Sequence, residues 1–483
     1  MADTPIKFGT DGWRAVIAKD YTFDNLERVS LATAAWLHDE YGDAPSLVIG
    51  HDTRFLGREF ATFAARVLAD AGIQVTLTTS FLSTPAISWA TQAMGCDAGI
   101  VITASHNPPE YNGYKIKADF GGPAPPEMVS AVEEKIPGVS VSGEEPSTAE
   151  ALIDSGKLTL RDVRTEYLSA MQEVLDIEAI AKSDLTVVHD AMFGSGQGIV
   201  TSLLGTERVV ELHHDLNPGF HGTPPEPIDR NLAELQAEVA KDGRDVGIAN
   251  DGDADRIGMV DENGNFVDSH RILALLVKYL HEERGLSGSI VKTFSTTHML
   301  NKMADAYGFE IETMPIGFKH IAPKIAEGGV LVGGEESGGI AAQGHIPERD
   351  GIYIGLLIVE MMVKRGMTLS ALVDELLEQF GPHYCYREDI HITDAQKQAA
   401  LRRLRDESGL DEVSGHPVVE LDTLDGFKHL TEDHGWLLIR PSGTEPVLRV
   451  YSEAKTPEAA KALVQDARSE ERRVGKECVS ECR

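Results

Sequence analysis

Residues 46–79, SLVIGHDTRFLGREFATFAARVLADAGIQVTLTT, decide the fold. The stretch opens on SLVIG, a short apolar run that reads as a strand. Behind it, Phe60, Ala64, Val67, Leu68 and Ala71 recur at helical spacing, and Gly72 closes the pattern. The chain then returns as a second strand at IQVTLTT, residues 73–79. Strand, crossover helix and strand form a βαβ unit, which predicts a largely parallel sheet covered by helices. AGIVIT, residues 98–103, adds a further strand that runs straight into a polar, proline-broken loop.

Outward from this unit the pattern changes in steps. Pro- and Gly-rich stretches at 121–126 and 138–147 predict a loop and then a boundary near residue 155. SDLTVVHD, residues 183–190, starts a second α/β unit that ends near VDENGN, residues 260–265. A third holds SIVKTF, FEIETMPI and GVLVGG, each a strand followed by a polar or glycine-rich turn. Beyond about residue 375, WLLIRPSGTEPVLRVYSEA reads as strand, loop, strand and then helix, a small α+β unit. The expected domains are 1–155, 156–261, 262–375 and 376–467. The last residues, RSEERRVGKECVSECR at 468–483, abandon the preceding helical pattern and read as a non-native tail.

Bulk composition narrows the function. With 483 residues and 42% apolar content the chain can build several cores. A formal net charge of −33, from 77 acidic against 44 basic residues, argues against nucleic acid and membranes as partners. Any anion site must therefore supply its own concentrated Lys and Arg. The four cysteines show no CxxC pair, the N-terminus carries no leader pattern, and Glu360 interrupts the longest apolar run. A cytoplasmic protein is the expectation.

Four loops carry chemistry. IANDGDADRIGMVDENG, residues 248–264, sets Asp251, Asp253 and Asp255 at alternate positions after an apolar strand. In an extended segment these carboxylates share one side and call for a hard divalent cation. Their spacing to Glu262 mimics an EF-hand, but Arg256 stands where that loop needs glycine and the flanks read as strands. An aspartyl-phosphate nucleophile at Asp251 is the rival reading. GGEESGG, residues 333–339, offers Glu335 and Ser337 among glycines as hydrogen-bond partners for hydroxyls. RPSGTEPVLR, residues 440–449, places Arg440, Ser442, Gly443, Thr444 and Arg449 as a phosphate cradle.

The fourth loop is VITASHNPPEYNGYKIK, residues 101–117. Ser105 beside His106 suggests a hydrolase, but a G-x-S-x-G elbow is missing, and adjacent residues on a turn rarely aim at each other. A serine can instead carry a phosphoryl group, with a metal neutralising charge and a lysine managing protons.

Together these four stretches resemble the α-D-phosphohexomutase superfamily, the phosphoglucomutase/phosphomannomutase enzymes. FGTDGWRA at 8–15, HDTR at 51–54, PPEPIDRNL at 224–232 and MPIGFKHI at 314–321 fall in the family's order. The resemblance implies four domains around a central cleft: three related α/β domains with mixed sheets and a smaller C-terminal α+β domain. It implies that Ser105 is the phosphoserine, and that Asp251, Asp253 and Asp255 ligate one Mg²⁺ that also touches its phosphate. Glu335 and Ser337 would read sugar hydroxyls, while Arg440, Ser442, Gly443 and Thr444 would clamp the distal phosphate. Arg14, His106, Lys115, Arg256 and Lys319 would surround the transferred group, with His106 and Lys115 as the acid/base pair.

The implied reaction interconverts hexose 1-phosphate and hexose 6-phosphate through a hexose 1,6-bisphosphate, which also serves as activator. Lys115 would need a lowered pKa to act as a base, through dense positive neighbours and partial burial. GEESGG resembles the loop of glucose-phosphate mutases, so glucose is the expected sugar; a phosphomannomutase or a dual enzyme is the alternative. A non-catalytic sugar-phosphate-binding protein is the reading from a different class. The expected partners are small hexose phosphates, and the expected state is a monomer or homodimer.

Overall fold

The computed structural model describes residues 6–9, 11–141, 143–406, 409–441 and 447–466. Residues 1–291 with 317–372 form one compact unit, and 292–316 with 373–483 form another.

In the first unit, β1 (Trp13–Val16) precedes α1 (Phe23–Tyr41), β2 (Ser46–His51), α2 (Gly57–Asp70), β3 (Gln74–Thr78) and α3 (Thr84–Ala93). β4 (Ala98–Ile102), β5 (Tyr111–Ala118) and β6 (Leu158–Arg161) complete the first sheet, in the order β1-β5-β4-β2-β3-β6. β2 pairs parallel with β3 and β4, as the opening stretch predicts, and β6 extends that parallel half. β5 runs antiparallel between β4 and β1, which makes the sheet mixed. β4 is buried along its whole length, consistent with its unbroken apolar sequence. α1 and α3 start where side chains satisfy their free N–H groups: Thr22 accepts from Asn25 N and Ser83 from Ala86 N.

A second sheet repeats the plan. β7 (Val187–Asp190), β8 (Val209–Leu212), β9 (Val246–Asn250), β10 (Ile257–Val260) and β11 (Phe266–Val267) lie in the order β11-β10-β9-β7-β8. β7 is parallel to β8 and β9, whereas β9-β10-β11 is antiparallel. β12 (Ser289–Thr293) spans the division between the units, and β13 (Ile311–Met314) belongs to the second. Back in the first unit, β14 (Val330–Gly334) and β15 (Ile340–Ala342) form an antiparallel pair ahead of the buried helix Gly351–Arg365.

The second unit carries β16 (Tyr384–His391), β17 (Glu412–Val413), β18 (His416–Asp422), β19 (Phe427–Thr431), β20 (Trp436–Pro441) and β21 (Val447–Ala454). Their order is β16-β21-β20-β19-β18-β17, antiparallel throughout. Residues 292–316 join this unit for a packing reason. Phe294 forms a core with Trp436, Leu438 and Tyr451, and the Lys428 ammonium donates to Phe294 O while lying 4.1 Å over the Trp436 ring. The fold is therefore three α/β segments followed by an α+β domain. No helix among the described residues is long and apolar enough to cross a membrane.

Candidate active site

Ser105 lies in the loop between β4 and β5, with a left-handed backbone, φ 52°. Its Oγ donates to Asp251 Oδ2 at 2.8 Å and lies 3.2 Å from His106 Nδ1. The adjacent histidine does reach the serine, contrary to the sequence expectation, within a loop that turns sharply at Ser105. Burial lowers the His106 pKa well below its usual value, and Arg256, Arg14, Lys115 and Arg54 lower it further. These surroundings favour the neutral imidazole. Arg14 sits opposite Gly113 in the β1–β5 register and donates to Asn107 Oδ1 at 2.7 Å.

Asp251, Asp253 and Asp255 occupy the tight connection between the antiparallel strands β9 and β10. They converge through a turn, with Ala254 at φ 56°, and not through the extended alternation expected from their spacing. All three are buried, and an oxygen from each lies within 4.8 Å of the others. Among the described residues, Oδ1 of both Asp253 and Asp255 is buried without a hydrogen-bond partner. Asp251 is raised well above the usual carboxylate range by burial and by the charges of Asp253 and Asp255. Crowded, buried, oxygen-only donors with unpaired lone pairs fit a hard divalent cation.

Lys115 reaches into this cluster from β5. Its Nζ lies 2.8 Å from Asp11, 2.7 Å from Asp253 and 3.0 Å from Asp255. Burial alone would lower its pKa, but Asp11, Asp253 and Asp255 outweigh that and hold it well above the usual lysine value. Its neighbours are mainly carboxylates, opposed by Arg349, where a lowering by dense positive groups was expected. Four further residues, Asp11, Arg349, Glu348 and Lys117, complete the network and were not singled out from the sequence. Arg349 Nη2 lies 2.8 Å from both Asp11 and Asp255, and its Nε is 3.1 Å from Glu348. Glu348 in turn pairs with buried Lys117 at 2.5 Å. Asp11 stood inside the quoted FGTDGWRA, whereas nothing around Arg349 marked it.

The glycine-rich loop joins the cluster through Arg349 and Arg256. Gly339 forms an isolated bridge with Arg256, and a Cβ on Gly338 would lie 2.5 Å from Ile257 O, so only glycine allows this approach. Glu335 is buried, and desolvation pushes its carboxyl up to about 7 despite the opposing pull of Arg349. Ser337 is half-buried on the same loop. The backbone N–H of Arg256 donates to Asp251 Oδ1 at 3.1 Å, and its guanidinium Nε lies 4.0 Å from Asp255. Lys319 sits half-buried in the short turn Phe318–His320, and among the described residues no hydrogen bond or ion pair joins its side chain to this cluster.

In the second unit, Arg440 and Arg449 face each other across β20 and β21. Arg440 Nε donates to Asp425 Oδ1 at 3.0 Å, and Arg449 Nε lies 3.9 Å from Asp389. Ser442, Gly443 and Thr444 lie outside the described residues.

Four family models match the chain in order. They are the phosphoglucomutase/phosphomannomutase alpha/beta/alpha domains I, II and III at residues 5–140, 165–264 and 268–380, and the C-terminal domain at 390–470. A phosphoglucomutase/phosphomannomutase of Thermococcus kodakarensis is 33% identical over 460 residues, covering 95% of this chain and 96% of its own. A protein assigned as a phosphoglucosamine mutase in Methanothermobacter thermautotrophicus is 31% identical, with 95% and 96% covered. Among solved structures, one from Thermus thermophilus, assigned as a phosphomannomutase, superposes with a TM-score of 0.85 at 34% identity, covering 97% and 99%.

Proposed function

The chain belongs to the phosphoglucomutase/phosphomannomutase family and is a phosphohexomutase, and we propose that it interconverts glucose 1-phosphate and glucose 6-phosphate through phosphorylated Ser105. The observation that carries this reading is the 2.8 Å contact from Ser105 Oγ to Asp251, within a buried carboxylate triad ringed by Lys115, Arg256 and Arg349.

In this reading Ser105 passes its phosphoryl group to the free hydroxyl of a hexose phosphate, and the resulting 1,6-bisphosphate returns its other phosphate to Ser105. Asp251, Asp253 and Asp255 would hold Mg²⁺, which when bound neutralises charge on the phosphoryl oxygens. His106, neutral and beside Ser105, accepts or returns the hydroxyl proton. Lys115 serves as a permanent cation that steadies the same charge. Glu335 and Ser337 bind sugar hydroxyls, and Arg440 and Arg449 with residues 442–444 grip the distal phosphate.

The GEESGG loop supports glucose. A dual glucose and mannose activity is the second reading, favoured by the name of the Thermococcus kodakarensis relative. The complete set of catalytic groups argues against a non-catalytic binding protein. A coupled assay with glucose 1-phosphate, mannose 1-phosphate and glucosamine 1-phosphate, with Mg²⁺ and the bisphosphate activator, separates these sugars. Highest kcat/KM on glucose 1-phosphate is expected. Faster turnover of glucosamine 1-phosphate would overturn the glucose assignment, and full turnover by Ser105→Ala would overturn the phosphoserine. Chelation should abolish activity and added Mg²⁺ should restore it.

A further inference from the structure

A serine held at φ 52° needs a restraint, because side chains disfavour the left-handed region. The restraint comes from Arg54, in the connection between β2 and α2, whose side chain is fully buried. Its Nη2 donates to Ser105 O at 2.6 Å and Asn107 O at 2.5 Å. Its Nη1 donates to Pro108 O at 2.8 Å and Tyr111 O at 3.0 Å. One guanidinium therefore binds four carbonyls of the loop that carries Ser105. Asp52 supports the arrangement from below: its Oδ2 lies 3.3 Å from Arg54 Nε and accepts from Thr103 Oγ1 at 2.5 Å. Thr103 Oγ1 in turn accepts the Ser105 N–H at 2.9 Å. The same segment reaches the second sheet's loops. Arg54 lies 4.9 Å over the Phe220 ring, and Thr53 Oγ1 donates to Phe193 O at 2.7 Å.

We infer that Arg54 is the positioning residue for Ser105, fixing its loop so that Oγ stays at Asp251 whether or not it carries a phosphoryl group. The inference rests on the phosphoserine reading for its consequence in catalysis. Arg54 acts through the loop backbone, by way of the four carbonyls it binds. In phosphoryl transfer the protein contributes mainly position and charge, so loosening the carrier by a fraction of an ångström is costly. Only a planar fork with five donors satisfies four carbonyls at once; a lysine has three donors on one nitrogen.

The test compares full-length wild type, Arg54→Ala and Arg54→Lys by steady-state kinetics and by amide hydrogen exchange. Both variants should lose roughly 100-fold in kcat with KM within about twofold of wild type. Millimolar guanidinium should restore part of the Arg54→Ala rate, and sodium chloride at equal ionic strength should not. Exchange in residues 103–111 should speed at least about tenfold, while α1 and β2 stay protected. Unchanged exchange in that loop would overturn the inference, as would a kcat loss that merely tracks the folded fraction. Where Arg54→Ala does not fold, Arg54→Lys keeps the charge beside Asp52 and carries the same comparison. The exchange measurement needs no substrate. Full turnover by Ser105→Ala would thus refute the phosphoserine reading, while exchange would still decide whether Arg54 holds the loop.

Discussion

Glu335 sits buried with its carboxyl at about 7, against an ordinary value near 4.5. The sign of the consequence follows from proton counting. Below pH 4.5 both folded and unfolded chains hold the proton; between 4.5 and 7 only the folded chain does; above 7 neither does. Its contribution to stability is therefore full at low pH and is lost as pH rises through 7, by at most roughly 3 kcal/mol. Glu335→Gln should remove this dependence, so denaturant melts of the two proteins should diverge in the variant's favour between pH 5 and 8. Equal pH slopes would refute the assignment. The buried Lys117–Glu348 pair makes a second prediction. Lys117→Met leaves Glu348 with Arg349 as its charge partner among the described residues and should cost about 3–5 kcal/mol in the same assay. Ser105, the three aspartates and Glu335 were legible in the sequence because each sits in a short local string. Arg349 and Arg54 were not. Arg349 meets Asp11 across 338 positions, and Arg54 acts through backbone oxygens that no pattern of side chains marks.

At the scale of elements, the βαβ unit at 46–79 was fully readable, since periodicity reports which face is buried. The antiparallel insertion of β5 between β4 and β1 was not, because strand order depends on partners rather than on local pattern. Gly113 shows how close that insertion is. A Cβ there would lie 2.5 Å from Thr103 O and 2.6 Å from Trp13 O, both backbone atoms. Gly113→Ala should therefore cost about 1–3 kcal/mol or more by forcing β1 and the end of β4 apart. Because Arg14 pairs with Gly113 in register, turnover should also fall further than stability alone explains. A variant with wild-type melting and kcat would contradict this. The aspartate loop teaches the complementary lesson: the three carboxylates converge as expected, but a turn, not an extended run, brings them together.

At the scale of the whole molecule, a net charge of −33 means that unscreened repulsion opposes compaction. Raising sodium chloride from about 0.01 to about 1 M shortens the screening length from about 30 to about 3 Å, so Tm should rise by several degrees. A flat Tm across that series would show that the charges are already paired off locally. Composition announced this property, but not the grouping of residues 292–316 with 373–483, which a small aromatic core and the Lys428 ammonium bring about. Asp11 and Arg349 have a consequence in time as well as space. A chain emerging from the ribosome presents Asp11, Lys115 and the three aspartates long before residue 349. Until then the nascent N-terminal segments lack one of the cations that neutralise the cluster, and Asp11 has Lys115 and Arg14 as partners but not yet Arg349. Completion of the charge network therefore waits for synthesis of the third α/β segment, which supplies the Arg349 guanidinium to Asp11 and Asp255.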